Sequence, residues 1–263
     1  MKAREGIQIA ALKAVLFDFD GTLSTLRASW EEVMAPFMKE AIVGPARLSD
    51  ADDKALEQEI IDYIDESTGI QTVFQMRWLA ENVSRKGWNP VVLDEWAYKA
   101  EYNRRLLLRV KKKVDLLDQG KLQAEDFLMK GSVAFLELLQ DRGIEMYVAS
   151  GTDHPDVVRE AEVLGVARYF KQIVGAPVGK AECSKEKVLF DLMENSGLSG
   201  RQLAVIGDGK VEIGLAKQRG SLAIGLASDE RAREGLDAQK QARLEKAGAD
   251  WITGDFLHTE QWL

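Results

Sequence analysis

The stretch "AVLFDFDGTLS", Ala14 to Ser24, decides how this chain is read. Ala14–Phe17 is an apolar run of the kind that forms a buried strand. It ends in two aspartates, Asp18 and Asp20, separated by Phe19 and followed at once by Gly21 and Thr22. A buried carboxylate is costly unless it is paired or bound to a metal. Two side by side repel, so ionisation of both calls for a positive partner. The bland reading is a strand-end turn, since Asp-Gly is a common turn signal. The rest of the chain decides between a turn and a site.

Further short apolar runs read as buried parallel strands: Glu145–Ala149, Gln172–Val174, Leu203–Ile206 and Leu222–Gly225, with Trp251–Ile252 as an edge strand. Amphipathic helical patterns lie between them: "SVAFLELLQDRG", "PDVVREAEVLGV", "SKEKVLFDLMENSG" and "VEIGLAKQRG". Three of these close on Gly143, Gly197 or Gly220, where a helix C-terminus favours glycine. Such alternation gives an α/β fold, a three-layer Rossmann-like parallel sheet covered on both faces. Ligands bind beyond the carboxyl ends of its strands, which is where Asp18 and Asp20 fall. The stretch from Thr25 to Lys130 breaks the alternation and reads as several helices, too long for a simple crossover. It is expected to form an inserted all-helical domain, 25–130, over the active edge of a core made of 1–24 and 131–263.

The 263 residues suffice for such a core plus a smaller domain. A net charge of −8 argues against a nucleic-acid partner. The single cysteine, Cys183, excludes an internal disulfide framework and fits a reducing compartment. It reads as a small structural residue, because nothing near it in sequence offers a base. Two histidines, His154 and His258, leave little for a zinc site or a serine-type triad, and His154 reads as a loop or cap residue. No segment approaches the roughly 18 apolar residues of a membrane span, and no signal peptide is evident. A cytoplasmic protein without membrane partners, monomeric or a homodimer, is expected.

Four features recur at strand ends. They are Asp18–Leu23; "VASGTD" with Ser150 and Gly151; a lysine in "CSKEKVL", Lys185 ahead of Lys187, with Lys180 third; and "AVIGDGKVEI" with Asp208 and, four residues on, Glu212. These residue types suit phosphoryl transfer. One carboxylate can attack phosphorus covalently and a second can move the protons. A hard divalent cation would let both carboxylates coexist, and a lysine, a hydroxyl and backbone N–H groups could hold the transferring oxygens.

With these motifs in this order the chain resembles the haloacid dehalogenase superfamily, mostly phosphatases, over Lys13–Ser24 and roughly Gly131–Ser228. The resemblance implies Asp18 as nucleophile and Asp20 as general acid/base. It implies Mg²⁺ held by the Asp18 side chain, the Asp20 carbonyl and the Asp208 side chain. Ser150 and the Gly151 amide would bind phosphate, and Lys185 would neutralise charge. An aspartate at position 20 favours phosphatase or phosphomutase over dehalogenase or transport ATPase. The insert resembles the family's helical cap called C1, which closes over small substrates. Glu212 departs from the aspartate often found there; it would bind the metal through water or hold Lys185.

Arg27 and Trp30 follow the first motif closely enough to face substrate, the arginine pairing with a second anionic group and the tryptophan stacking on a sugar. The alternative places Arg27 at the hinge and Trp30 in the packing of the insert. Arg77, Trp78, Arg104, Arg105 and "RVKKKV" read as helix faces and packing. The expected activity is Mg²⁺-dependent hydrolysis of a small phosphorylated metabolite, a sugar phosphate or a phosphoglycolate-like acid, through an aspartyl-phosphate. A sugar phosphomutase or a non-catalytic phosphate-binding module would use the same fold.

Overall fold

A computed structural model describes residues 11–259 apart from 182, 183, 196 and 199. Cys183 therefore lies outside the described residues. Strand β1 (Ala14–Phe17) is wholly buried and sits in the middle of a six-stranded parallel sheet ordered β3-β2-β1-β4-β5-β6. The others are β2 (Glu145–Asp153), β3 (Gln172–Ala176), β4 (Leu203–Gly207), β5 (Leu222–Leu226) and β6 (Trp251–Thr253). Ala14 pairs in register with Glu145 on one side and Leu203 on the other. The chain winds from β1 through β2 to β3, then crosses to β4 and continues to β6. The winding reverses between β1 and β4, and the crevice beyond their carboxyl ends is the ligand position of such sheets.

The sheet is covered on both faces, as its uninterrupted apolar strands require. Alternate residues of β1 point opposite ways. Val15 and Phe17 join one buried cluster; Ala14 and Leu16 join the other. On the first face Phe17 meets Phe135 and Phe170 edge to face at 6.1 and 5.9 Å. Phe135 belongs to α5 (Ser132–Asp141), and α6 (His154–Val163) covers the same face. The second face is covered by α7 (Ser184–Asn195), α8 (Lys210–Gln218) and α9 (Ala238–Ala247). Gly143, Gly197 and Gly220 all take positive φ after their helices.

Between β1 and α5 run four helices: α1 (Glu31–Val43), α2 (Asp50–Glu66), α3 (Thr72–Lys86) and α4 (Glu95–Asp118). Ser49 caps α2 by accepting from the Asp52 N–H at 3.2 Å, and Asp94 caps α4 by accepting from Ala97 N–H at 2.8 Å. Their buried stripe, including Met34, Met38, Ile60, Met76 and Leu106, is continuous with the Val15–Phe17 face of the sheet. Among the described residues no helix is long and apolar enough to cross a membrane.

Two elements depart from the sequence expectation. Strand β2 continues four residues past Ala149, through the polar Ser150–Asp153, because Asp153 still pairs with Ala176 across an irregular register. Helix α9 has no counterpart among the expected elements. Its signals were present: Asp237 accepts from Lys240 N–H at 2.7 Å and Gly248 ends the helix at φ +89. Only Leu244 of the helix is buried, so the apolar periodicity was too thin to register.

Candidate active site

Asp18 is the first residue after β1. Its amide donates to the Ile206 carbonyl of β4 at 2.8 Å, and its Oδ1 accepts from Phe19 N–H at 2.8 Å. The chain then turns tightly, with Leu23 and Ser24 amides both returning to the Phe19 carbonyl at 2.9 Å. Gly21 makes this turn possible. Its φ is +71, and a Cβ there would stand 2.4 Å from Asp208 Oδ2. Asp208, the first residue after β4, thus packs directly on the turn that carries Asp18 and Asp20.

Lys185, in the first turn of α7, reaches under the sheet edge. Its Nζ lies 3.0 Å from Asp18 Oδ2, contacts Glu212 Oε1 and donates to the Gly69 carbonyl at 3.2 Å. Burial works against its charge, but the Asp18 and Glu212 carboxylates outweigh that and hold the amine protonated. Lys187 and Lys180 are exposed. Of the three candidate lysines, Lys185 is the one against Asp18. Glu212 is occupied with Lys185, one of the two roles anticipated for it. Burial raises the Asp18 carboxyl well above the ordinary range; Lys185 pulls it back, and Glu212, Asp208 and Asp20 add to the rise.

Asp20 is held from β2. Thr152 Oγ1 donates to its Oδ2 at 2.8 Å and Ser150 Oγ at 3.3 Å, while Ser150 Oγ accepts from Thr152 N–H at 3.0 Å. The other oxygen, Oδ1, is buried without a hydrogen-bond partner, 3.8 Å from Arg27 Nε. Gly151 lies against the turn between α2 and α3, where a Cβ would meet the Ile70 carbonyl at 3.0 Å. These residues surround a cavity of about 100 Å³, which Trp30, Lys99 and Asn103 help to line.

Arg27 also lines the cavity, but its guanidinium is engaged. Nη2 donates to Glu160 Oε1 at 2.6 Å and Nε to the same carboxylate at 3.0 Å, and Asp156 Oδ2 is 3.4 Å away. Burial pushes the Glu160 carboxyl up to about 7 against the pull of Arg27, and Asp20 and Asp156 add to the rise.

Several residues at the site were not anticipated. Thr152 stood in the quoted "VASGTD" motif, and its spacing of two from Ser150 along a strand would have placed both hydroxyls on one face. Lys240 Nζ lies 3.0 Å from Asp208 Oδ2 and 2.5 Å from Glu230 Oε1; it went unseen because α9 did. On α4, Lys99 pairs with Asp153 and Asn103 Nδ2 donates to Asp153 Oδ2 at 3.0 Å.

Among the described residues no three carboxylate, thiolate or imidazole groups converge as a ready metal site. Asp18 and Asp208 nevertheless supply two hard oxygen donors against one turn, and Asp20 Oδ1 is buried there with no hydrogen-bond partner. This set fits a divalent cation completed by backbone or water oxygens.

A family model described as "haloacid dehalogenase-like hydrolase" matches residues 12–220. The chain belongs to that family and is a hydrolase. It is 24% identical over 233 residues to the phosphoglycolate phosphatase of Escherichia coli, covering 86% of this chain and 85% of that one. It is 36% identical over 78 residues to the 3-deoxy-D-manno-octulosonate 8-phosphate phosphatase of Haemophilus influenzae, a match spanning 30% of this chain and 38% of that enzyme. A crystal structure of β-phosphoglucomutase from Clostridium difficile covers 95% of this chain and is covered to 95%, with a TM-score of 0.60 at 14% identity. At that identity the likeness shows the shared fold.

Proposed function

We propose that the protein is a Mg²⁺-dependent phosphatase acting on a small phosphorylated metabolite through an aspartyl-phosphate at Asp18. The carrying observation is the division of labour between two carboxylates on one turn. Asp18 is clamped beside the Lys185 ammonium at 3.0 Å, while Asp20 is held away from it by the Thr152 hydroxyl at 2.8 Å. One is fixed as a nucleophile and the other is free to carry a proton.

In the first step an Asp18 oxygen attacks phosphorus, and the bond from phosphorus to the leaving oxygen breaks. Asp20 gives that oxygen its proton. In the second step Asp20 takes a proton from water, the water oxygen attacks phosphorus, and the bond to Asp18 breaks to release inorganic phosphate. The Ser150 hydroxyl and the Gly151 amide hold the equatorial oxygens, where charge is greatest in the transition state, and the Lys185 ammonium neutralises charge on Asp18 and the phosphoryl group. The Asp18 and Asp208 carboxylates and the Asp20 carbonyl would hold Mg²⁺, which when bound would neutralise charge at the phosphoryl group. Trp30 offers a flat face to the leaving group. The four helices from α1 to α4 act as a cap domain that excludes water, its α2–α3 turn reaching Lys185 through the Gly69 carbonyl at 3.2 Å.

The test is a panel of phosphate monoesters assayed for inorganic phosphate with Mg²⁺. Asp18→Asn removes the nucleophile with little change of shape and is expected to abolish release. Full activity in that variant, correctly folded, would refute the assignment. Interconversion of sugar phosphates without phosphate release would instead indicate a mutase.

A further inference from the structure

The phosphatase reading leaves the leaving group undefined, and the charge around Arg27 narrows it. Asp20 serves the leaving oxygen, and Arg27 Nε stands 3.8 Å from Asp20 Oδ1. Whatever hangs from that oxygen therefore passes the Arg27 side of the cavity. An arginine there would ordinarily invite a second anion. Here the invitation is already answered. Arg27 faces Glu160 at 2.6 Å and Asp156 at 3.4 Å, in addition to Asp20. The other cation on this side, Lys99, is matched by Asp153.

The balance is never positive, even with Asp20 carrying the proton it gives the leaving oxygen. Arg27 then faces two further carboxylates with Glu160 charged and one, Asp156, with Glu160 neutral. Among the described residues, the cations lining the cavity are Arg27, Lys99 and Lys185, and Lys185 is at the phosphoryl end. The other polar residues lining the cavity are carboxylates and neutral hydrogen-bonders, the latter including Thr72, Gln75 and Asn103. Amides and hydroxyls of this kind pair with hydroxyls. A carboxylate arriving here would lose its hydration and gain no unpaired cation, the arrangement by which a site rejects a partner.

We propose that the enzyme selects monoesters whose leaving group bears hydroxyls and no negative charge, and that Asp156 and Asp153 enforce this by saturating Arg27 and Lys99. This rests on the phosphatase reading above, and it runs against transfer of the phosphoglycolate specificity carried in some relatives' names.

The experiment uses a pair of nearly the same size: 2-hydroxyethyl phosphate, whose leaving group is a neutral alcohol, and 2-phosphoglycolate, whose leaving group is an alcohol that bears a carboxylate. p-Nitrophenyl phosphate serves as the active-enzyme control. The neutral ester is expected to have at least a tenfold higher kcat/KM at pH 7.5, expressed chiefly in KM. Asp156→Asn removes one of the carboxylates that face Arg27, and Asp153→Asn releases Lys99. At least one of the two is expected to narrow the ratio threefold or more by lowering KM for phosphoglycolate. A wild-type ratio below tenfold overturns the proposal, as does a ratio unmoved in both variants. Cleavage of the control with neither matched ester cleaved overturns it too. Failure to cleave even p-nitrophenyl phosphate strikes the phosphatase reading itself, a different and separable result.

Discussion

Replacing Glu160 by Gln is expected to gain stability relative to wild type as pH rises through neutrality, although it deletes one half of a buried ion pair. The carboxyl is pushed from an ordinary value of 4.5 up to about 7, first by burial and then by Asp20 and Asp156, with Arg27 opposing. Lys113 on α4 is the further cation that feels it. Between those two pH values the folded protein holds a proton that the unfolded chain has released. The stability from this group is therefore complete below about 4.5 and is lost as pH rises through about 7. At about 1.36 kcal/mol per pH unit, the 2.5-unit interval corresponds to about 3 kcal/mol. That is a large share of the 5 to 15 kcal/mol of an ordinary domain, each figure being about the usual size. Glutamine keeps an oxygen for Arg27 and does not titrate. Urea unfolding of wild type and variant at pH 4.5 and 8, with EDTA and without substrate, measures the difference. Buried carboxyls that do not face Glu160, Asp18 among them, cancel in the subtraction. The variant's relative stability should rise by about 3 kcal/mol between the two pH values. A difference that stays constant, or moves in favour of the wild type, refutes the reasoning.

Asp18→Asn should lower phosphate release at least about a thousandfold while circular dichroism and melting temperature stay near wild type. Chelation of divalent cations should stop turnover, and Asp208→Asn should weaken Mg²⁺ binding by about tenfold or more in calorimetry, a readout independent of catalysis. Asp237→Ala removes the oxygen that accepts from Lys240 N–H at 2.7 Å; it should cost about 1 kcal/mol in denaturant unfolding by loosening the start of α9. Gly21→Ala should be worse than either, because φ is +71 and the new methyl would collide with Asp208 Oδ2; soluble expression and Mg²⁺ affinity should both fall.

What could be read from the sequence, and what could not, follows the range of the interactions involved. Ala14–Phe17 was legible because a centrally placed parallel strand is buried on both faces and must be apolar throughout. Asp18 and Asp208 were legible because a polar residue directly after such a run lies at the open edge of the sheet. Lys185 against Lys187 is a harder case. Two residues along a helix turn the side chain by about 200°, so one must face away, but only packing against β2 and α8 says which. Helix α9 escaped because a helix that buries one leucine has almost no apolar period, and with it went Lys240 at Asp208.

Arg27 shows the limit most plainly. Its position soon after Asp20 places it beside the cavity, and that much is local. Whether it grips substrate or is itself gripped depends on Glu160, 133 residues further on, brought over it by α6. No periodicity or spacing carries that pairing, because the two positions meet only once the insert and the sheet share one buried face. The same reason separates the two levels of function. The proposed nucleophile and proton carrier, Asp18 and Asp20, sit on one turn and are fixed by covalent neighbours. The proposed selection of the leaving group is assembled from α4, α6 and the end of β2, which meet only in the folded chain.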